Sequence, residues 1–319
     1  MKNKVIKLIF IFLIISFSNH SFSQETKFEK RIKKDIDKLS KVSGFIDNEL
    51  KLYDEETILD KKNTIIIMYN HGSWKPETRR EECIKGAGRI PEAISSLHNK
   101  KIGNMIIRIY RMCSGVRGLS DHHFDRVHKL FESEGNPNGF IDLIDYDGIK
   151  IYDKIQQHLR RQIVIDTIDE LAEKGYDNII LSGLSAGGFL SFYLTAHFPD
   201  KIDGSIIFNP AAYGGKLQKN SAPRQVLRDY WEKEMSKFSE INSLLFIHND
   251  DGWEDSMTLS FLIEMNKVRT INYTNFGCEP PFNNKYGAHI FSIYPEKDSC
   301  FTKWEAKNNY IINYLEELF

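Results

Sequence analysis

Several features that would place this chain in other classes of protein are missing from its sequence. It has no internal repeat, no low-complexity tract and no Pro/Gly-rich linker that would divide it into separate domains. After the first 23 residues, no apolar run approaches the roughly twenty residues that a membrane-spanning helix needs. Basic residues are not in excess, since the formal net charge is −1, so nothing favours a nucleic-acid partner. We therefore expect one soluble globular domain.

Cysteine is scarce, and the four cysteines show no Cys-x-x-Cys or Cys/His spacing that would indicate a zinc site. In an exported protein, four cysteines allow three disulfide pairings. We prefer Cys278–Cys300 together with Cys83–Cys113, because the first pair flanks the candidate histidine described below. Buried free thiols remain an equal alternative.

Histidine is clustered at one place, in the segment 121–128, which contains His122, His123 and His128. Residues at such spacing can share a helical face, but no further ligand chemistry accompanies them. A solvated or substrate-facing loop is the better interpretation. We expect neither a metal nor an organic cofactor.

The first 23 residues have the layout of a cleavable secretory signal peptide. Three lysines precede an apolar run at 8–17, and Ser21-Phe22-Ser23 offers a small-x-small cleavage site. A ten-residue apolar run is too short to span a bilayer, which makes an uncleaved anchor the weaker alternative. We predict a signal peptide at 1–23, a single domain at 24–319 without a membrane span, and a periplasmic or secreted location.

Strand-like apolar runs alternate with amphipathic helical segments along the chain. Apolar runs that do not alternate with polar residues are expected of strands buried on both faces of a parallel sheet. The predicted strands are 64–69, 105–110, 178–181, 204–208, 243–248 and 270–276. The predicted helices are 25–42, 80–98, 151–174, 189–197, 224–238, 257–268 and 302–318.

This alternation predicts an α/β fold with a mostly parallel central sheet flanked by helices. The segment between the strands at 204–208 and 243–248 is too short for a large lid. We therefore expect a small lid or none, although the helix at 224–238 could cover the pocket.

The strongest functional signal is the Gly-x-Ser-x-Gly motif at 183–187, between a predicted strand and a predicted helix. A sharp strand-to-helix turn would force Ser185 into a strained backbone conformation with its hydroxyl exposed. Gly183 and Gly187 lack the side chains that would collide across such a turn. Ser185 is therefore the candidate nucleophile, and the backbone N–H of Ala186 at the helix start is a candidate oxyanion donor.

A serine nucleophile needs a base that takes its proton and an acid that orients the base. In this arrangement the expected order along the chain is serine, acid, histidine. Asp251 is our choice for the acid because it follows a predicted strand; Asp250 is left open, and Glu254 and Asp255 are weaker candidates. His289 is the only histidine downstream of Asp251, so it alone could complete a triad in this order.

A second oxyanion donor is expected from the loop after an earlier strand. Residues 70–74 follow the first predicted buried strand, and Gly72 lets the backbone turn its N–H groups inward. Either Ser73 or Trp74 would donate, and the sequence does not decide between them. His71 lies upstream of the nucleophile, so we assign it to the structure of the loop rather than to base catalysis.

These motifs resemble those of the α/β-hydrolase superfamily, particularly compact esterases similar to dienelactone hydrolases. The resemblance covers residues 60–319 and rests on Asn70-His71-Gly72, the motif at 183–187, Asp251 after a strand, and Gly287-Ala288-His289. It implies an α/β-hydrolase fold with Ser185, Asp251 and His289 as the catalytic triad.

Together with the predicted signal peptide, the resemblance implies an exported serine hydrolase, with carboxylic-ester hydrolysis through an acyl-enzyme on Ser185 as the first expectation. The substrate would be a small-molecule ester or an acyl ester carried by a polysaccharide. The alternatives are a peptidase, amidase or acyltransferase with the same triad, and a catalytically inactive binding module.

Overall fold

The structure, a computed structural model, describes residues 44–46, 57–72, 90–112, 161, 164–211, 231–277, 285–293 and 295–319. Several predictions fall outside these ranges: the signal peptide, the helix at 25–42, the histidines of 121–128, Ser73 and Trp74, and Cys83, Cys113 and Cys278. The segment 212–230, on which the expected small lid depends, lies outside them as well. Within the described part of the chain, no helix is both long enough and apolar enough to cross a membrane.

The described strands form one sheet in the order β1-β4-β2-β5-β6-β7-β8, with every pair along this path parallel. A short β3 pairs antiparallel with β4. The strands are β1 (Gly44–Ile46), β2 (Thr64–Asn70), β3 (Lys101–Ile102), β4 (Met105–Met112), β5 (Asn178–Ser185), β6 (Gly204–Pro210), β7 (Glu240–Ile247) and β8 (Asn266–Asn272).

Helices flank the sheet, and the apolar core lies on both of its faces. On one face the strands pack with Phe301 and Ile311, and on the other with Ile168, Leu190 and Leu194. The described helices are Glu92–Ser95, 164–173, Ala186–His197, 231–235, Ser260–Ile263, Lys285–His289, Pro295–Asn308 and Tyr310–Leu318, with a 3-10 turn at Phe291–Ile293. Because both faces are covered, all seven residues of β2 are buried, and the predicted α/β fold is confirmed.

The predicted bounds of β8 and of the helix before it are wrong. The helix is the short Ser260–Ile263 rather than 257–268, and β8 begins at Asn266 and ends at Asn272 rather than running over 270–276. Among the described strands, β8 lies at the edge of the sheet and pairs only with β7. None of its residues is fully buried, so it lacks the apolar run that identifies the central strands.

Two other predicted helices have different ends in the structure. Of the helix predicted at 80–98, the described part contains only Glu92–Ser95, which begins after Pro91, since proline fits the first turn of a helix but not its interior. The closing helix, predicted as continuous, is interrupted at Asn309, whose backbone is left-handed with φ 54°.

The interruption at Asn309 is stabilised by the buried side chain of Glu305. Its carboxylate accepts a hydrogen bond from the Ile311 N–H at 2.9 Å, while its carbonyl accepts one from Asn309. Burial raises the pKa of the Glu305 carboxyl, and the Ile311 N–H and Lys100 oppose that shift. The two C-terminal helices are therefore joined through a carboxyl that folding favours in its protonated form.

Replacing Glu305 with glutamine should change how stability depends on pH. A carboxyl whose pKa is raised on folding favours the folded state below its unfolded pKa, and this contribution is lost as pH rises through the folded value. Glutamine keeps an acceptor for Ile311 and does not ionise. The Glu305→Gln variant should therefore gain free energy of unfolding relative to the parent as pH rises above the ordinary glutamate pKa of 4.5 toward the higher pKa of the folded state.

Urea unfolding at a series of pH values measures this effect, with the exposed Glu316→Gln variant controlling for the loss of one charge. A difference between parent and Glu305→Gln that stays constant with pH contradicts the assignment.

Candidate active site

The Gly-x-Ser-x-Gly motif forms a turn with no connecting loop, since β5 ends at Ser185 and a helix begins at Ala186. Ser185 has φ 57° and ψ −127°, a region that residues other than glycine rarely occupy. The side chain is partly exposed at the carboxyl end of the sheet. The strained turn that the motif predicts is present.

Glycines allow three backbone segments to meet at this turn. A Cβ on Gly183 would lie 2.4 Å from the carbonyl of Gly187, and one on Gly187 would lie 2.1 Å from the carbonyl oxygen of Asn70. A Cβ on Gly72 would lie 3.2 Å from the Cβ of Ser185. The loop after β2 therefore lies directly against the candidate nucleophile.

Replacing Gly187 with alanine should destabilise the fold. The new methyl group would collide with the backbone oxygens of Asn70 and His71, at 2.1 and 2.4 Å, and neither can move as a flexible side chain could. We expect a loss of about 3 kcal/mol in the free energy of unfolding. The matched Gly72→Ala variant meets its nearest atom at 3.2 Å and should cost less. Chemical denaturation of both variants gives the comparison; a larger loss for Gly72→Ala would contradict the packing described here.

The candidate acid and base form a buried hydrogen-bonded pair. Asp251 lies four residues after the end of β7, and its Oδ2 accepts a hydrogen bond from Nδ1 of His289 at 2.7 Å. Its Oδ1 accepts a second one from the Trp253 N–H at 2.8 Å. Asp251 is 1% exposed and His289 5%. Since a carboxylate only accepts, this contact selects the tautomer of His289 that has its proton on Nδ1, which leaves Nε2 as the acceptor atom.

Asp250 and Asp251, both open as the acid in the sequence, differ in their contacts with His289, which only Asp251 touches among the described residues. The side chain of Asp250 is 74% exposed and lies 3.9 Å from Nδ1 of His248, not against His289. Asp255 is engaged in its own turn, where its Oδ1 accepts the Thr258 N–H. Asp251 is thus the acid in contact with the histidine.

The end of β6 connects Ser185 with His289. The Ala211 N–H donates to the Ser185 carbonyl at 3.1 Å, and Pro210 is the register partner of Ser185. One residue earlier, the amide of Asn209 donates to the carbonyl of His289 at 3.1 Å. The candidate base is therefore hydrogen-bonded to the end of β6, which also pairs with Ser185 at the end of β5. His289 ends the short helix Lys285–His289, whereas the sequence predicted a loop.

The hydroxyl of Ser185 and Nε2 of His289 do not hydrogen-bond to each other among the contacts of the described residues; His289 bonds through Nδ1 to Asp251. In ligand-free hydrolase sites this bond is commonly long, and it shortens when substrate binds.

The oxyanion site is described in part. Ala186 is the first residue of its helix, where N–H groups have no partner within the helix. His71 is buried, and its Nδ1 lies 2.7 Å from the carbonyl oxygen of Gly72, consistent with a role in shaping the loop. Ser73 and Trp74 lie outside the described residues, so the second donor stays a prediction.

Two neighbours of the histidine were not found from the sequence. The Trp253 ring packs on the imidazole of His289 with centroids 4.4 Å apart and planes inclined by 31°. Asn209 binds the backbone of the histidine segment from β6. Trp253 had one local signal, its position two residues after the acid, whereas Asn209 had none.

Comparisons with known proteins add little beyond this geometry. No family model matches the chain, and the search of curated proteins found no relative. Among solved structures, the chain is similar to carboxyl esterase 2 from the fungus Tuber melanosporum, with 11% identity and a TM-score of 0.43 over 82% of this chain and 79% of the other.

It is also similar to an arylesterase, with 13% identity and a TM-score of 0.43 over 97% of each chain. An S-formylglutathione hydrolase from Agrobacterium tumefaciens is a third, with 13% identity and a TM-score of 0.38 over 77% of this chain and 84% of the other. At such values the assignment rests on the chain's own architecture. The strand order, the strained serine turn after β5, and an acid and a histidine after β7 and β8 show an α/β-hydrolase fold, as the motifs led us to expect.

Proposed function

We propose that this protein is a serine hydrolase, and specifically a carboxylic-ester hydrolase that works through an acyl-enzyme on Ser185. The observation that carries the proposal is the buried 2.7 Å hydrogen bond between Asp251 and His289. It lies at the end of the sheet where Ser185 occupies its strained turn. A buried acid–imidazole pair at the same end of the sheet as a partly exposed serine is consistent with nucleophilic acyl transfer.

In the proposed reaction, Oγ of Ser185 attacks the ester carbonyl while Nε2 of His289 takes its proton. Asp251 holds the imidazole in the required tautomer and stabilises the charge that forms on it. The tetrahedral oxyanion is bound by the Ala186 N–H and by a donor at Ser73 or Trp74. When the intermediate collapses, the alcohol leaves with the proton from His289.

Deacylation repeats these steps with water as the nucleophile. His289 takes a proton from water, the hydroxide attacks the acyl carbonyl, and the released Ser185 oxygen recovers the proton. No step requires a group beyond the named residues and water.

A panel of p-nitrophenyl esters with short and long acyl chains, together with matched p-nitroanilides, tests this assignment. We expect turnover of esters and far slower cleavage of anilides. Equal rates on both would point instead to an amidase or peptidase. Binding without turnover would point to an inactive binding module. The chain length of the best ester then defines the substrate class among small-molecule esters and polysaccharide-linked acyl groups.

We further propose export, with removal of residues 1–23 and a periplasmic or secreted mature protein. The charged and apolar segments at the N-terminus support this. In an oxidising compartment we expect Cys300 to pair with Cys278. Peptide mapping without reduction would identify the pair, and N-terminal sequencing of exported protein should begin at Gln24.

A further inference from the structure

We propose that the side-chain amide of Asn209 is the element that positions His289 relative to Ser185. This inference rests on the proposed hydrolase function. Asn209 would act through the histidine and would not touch the substrate, so it is a positioning residue.

The contacts of Asn209 use the full donor capacity of its amide. Nδ2 donates to the hydroxyl of Tyr273 at 2.5 Å and also faces the carbonyl oxygens of Ala288 at 3.0 Å and of His289 at 3.1 Å, so its two N–H groups are shared among three acceptors. The amide oxygen has no partner among the described residues. The contribution of this side chain therefore lies in its NH₂ group.

The two carbonyls are groups that need a donor. They belong to the last two residues of the helix Lys285–His289, where carbonyls lack partners within the helix. Asn209 is 2% exposed, and without its amide these carbonyls would lose the donors it supplies. The amide thus caps the helix that carries the base from a neighbouring strand.

The same end of β6 also contacts the candidate nucleophile, which is the last residue of β5. Pro210 is the register partner of Ser185, and the Ala211 N–H donates to the Ser185 carbonyl. The end of β6 therefore contacts both candidates: Asn209 binds the segment of His289, and the next two residues bind Ser185. Because a displacement of about 1 Å can cost on the order of a hundredfold in rate, this connection is expected to affect turnover rather than binding.

The backbone of Asn209 allows the amide to be tested separately. Its φ of 40° is left-handed, a conformation that asparagine tolerates and glycine adopts freely. Asn209→Gly therefore removes the amide without imposing backbone strain. Asn209→Asp keeps the shape of the side chain. When it is ionised, however, its oxygens cannot donate a hydrogen bond to the carbonyls of Ala288 and His289.

The test measures ester hydrolysis by the parent, Asn209→Gly, Asn209→Asp and the control Asn242→Asp. Asn242 also donates its amide to a carbonyl, that of Asp203 at 3.1 Å, but at the opposite end of the sheet. We expect Asn209→Gly to lower kcat by about tenfold to a hundredfold with little change in KM. Asn209→Asp should recover relative to the parent as pH falls, because a protonated carboxyl donates one hydrogen bond. Asn242→Asp should follow the parent at every pH.

The outcomes separate the two proposals. A parent protein that hydrolyses no ester and is not labelled by a fluorophosphonate refutes the proposed function itself. If the parent is active and Asn209→Gly has the same kcat, the proposed role of Asn209 is wrong, while the proposed hydrolase function stands. If Asn209→Gly fails to fold, the activity ratio of Asn209→Asp to parent decides: a ratio that rises as pH falls supports positioning, and one independent of pH overturns it.

Discussion

Replacing Ser185 with alanine is expected to lower kcat for ester hydrolysis by about ten-thousandfold or more, since no other group can form the acyl-enzyme. KM should change far less, because the hydroxyl is not needed to hold the ester in place. Steady-state assays with a p-nitrophenyl ester measure both kcat and KM.

The exposed Ser260→Ala variant is the matched control for this substitution, because it removes a hydroxyl from the start of a helix remote in sequence from the motif. Thermal unfolding of both variants shows whether the fold is kept. Turnover by a folded Ser185→Ala within tenfold of the parent would exclude Ser185 as the nucleophile.

The second large effect on kcat is expected from Asp251→Asn. The same substitution at the neighbouring residue, Asp250→Asn, is its control. An asparagine at 251 can present its NH₂ group to Nδ1 of His289, which favours a proton on Nε2 and prevents that atom from accepting the serine proton. We expect a loss in kcat of about a thousandfold to ten-thousandfold. Asp250 is 74% exposed and does not touch the histidine, so its replacement should leave kcat nearly unchanged.

Steady-state kinetics of the two variants at one pH provide the comparison. Equal losses in both, or the larger loss at 250, would mean that the contact between Asp251 and His289 is not the one used in catalysis.

The buried strands and the serine turn were predictable because their signals are local. β2 is buried along its whole length, and its residues 65–69 form an unbroken run of apolar and aromatic side chains. At the turn, a Cβ atom on Gly183 or Gly187 would lie less than 2.5 Å from backbone atoms, so the steric constraint appears in the sequence as two glycines. Chain order left His289 as the only histidine downstream of Asp251, whereas the choice between Asp250 and Asp251 stayed open in the sequence.

Other elements depend on contacts between distant parts of the chain, which leave no local pattern. Asn209 reaches His289 across 80 positions, and nothing around it in the sequence marks the contact. Among the described strands β8 lies at the edge, and its residues are exposed or partly exposed. Its sequence therefore has no apolar run that would distinguish a strand from the end of a helix. The helix break at Asn309 depends on Glu305, whose buried carboxylate resembles any charged helix residue in the sequence.

The most direct measurement is mass spectrometry of the intact folded protein after reaction with a fluorophosphonate, followed by peptide mapping. The account predicts one phosphonyl group per chain, on the peptide that contains Ser185, and no adduct in folded Ser185→Ala. A folded parent that stays unmodified, or an adduct at another residue that persists in Ser185→Ala, would contradict it.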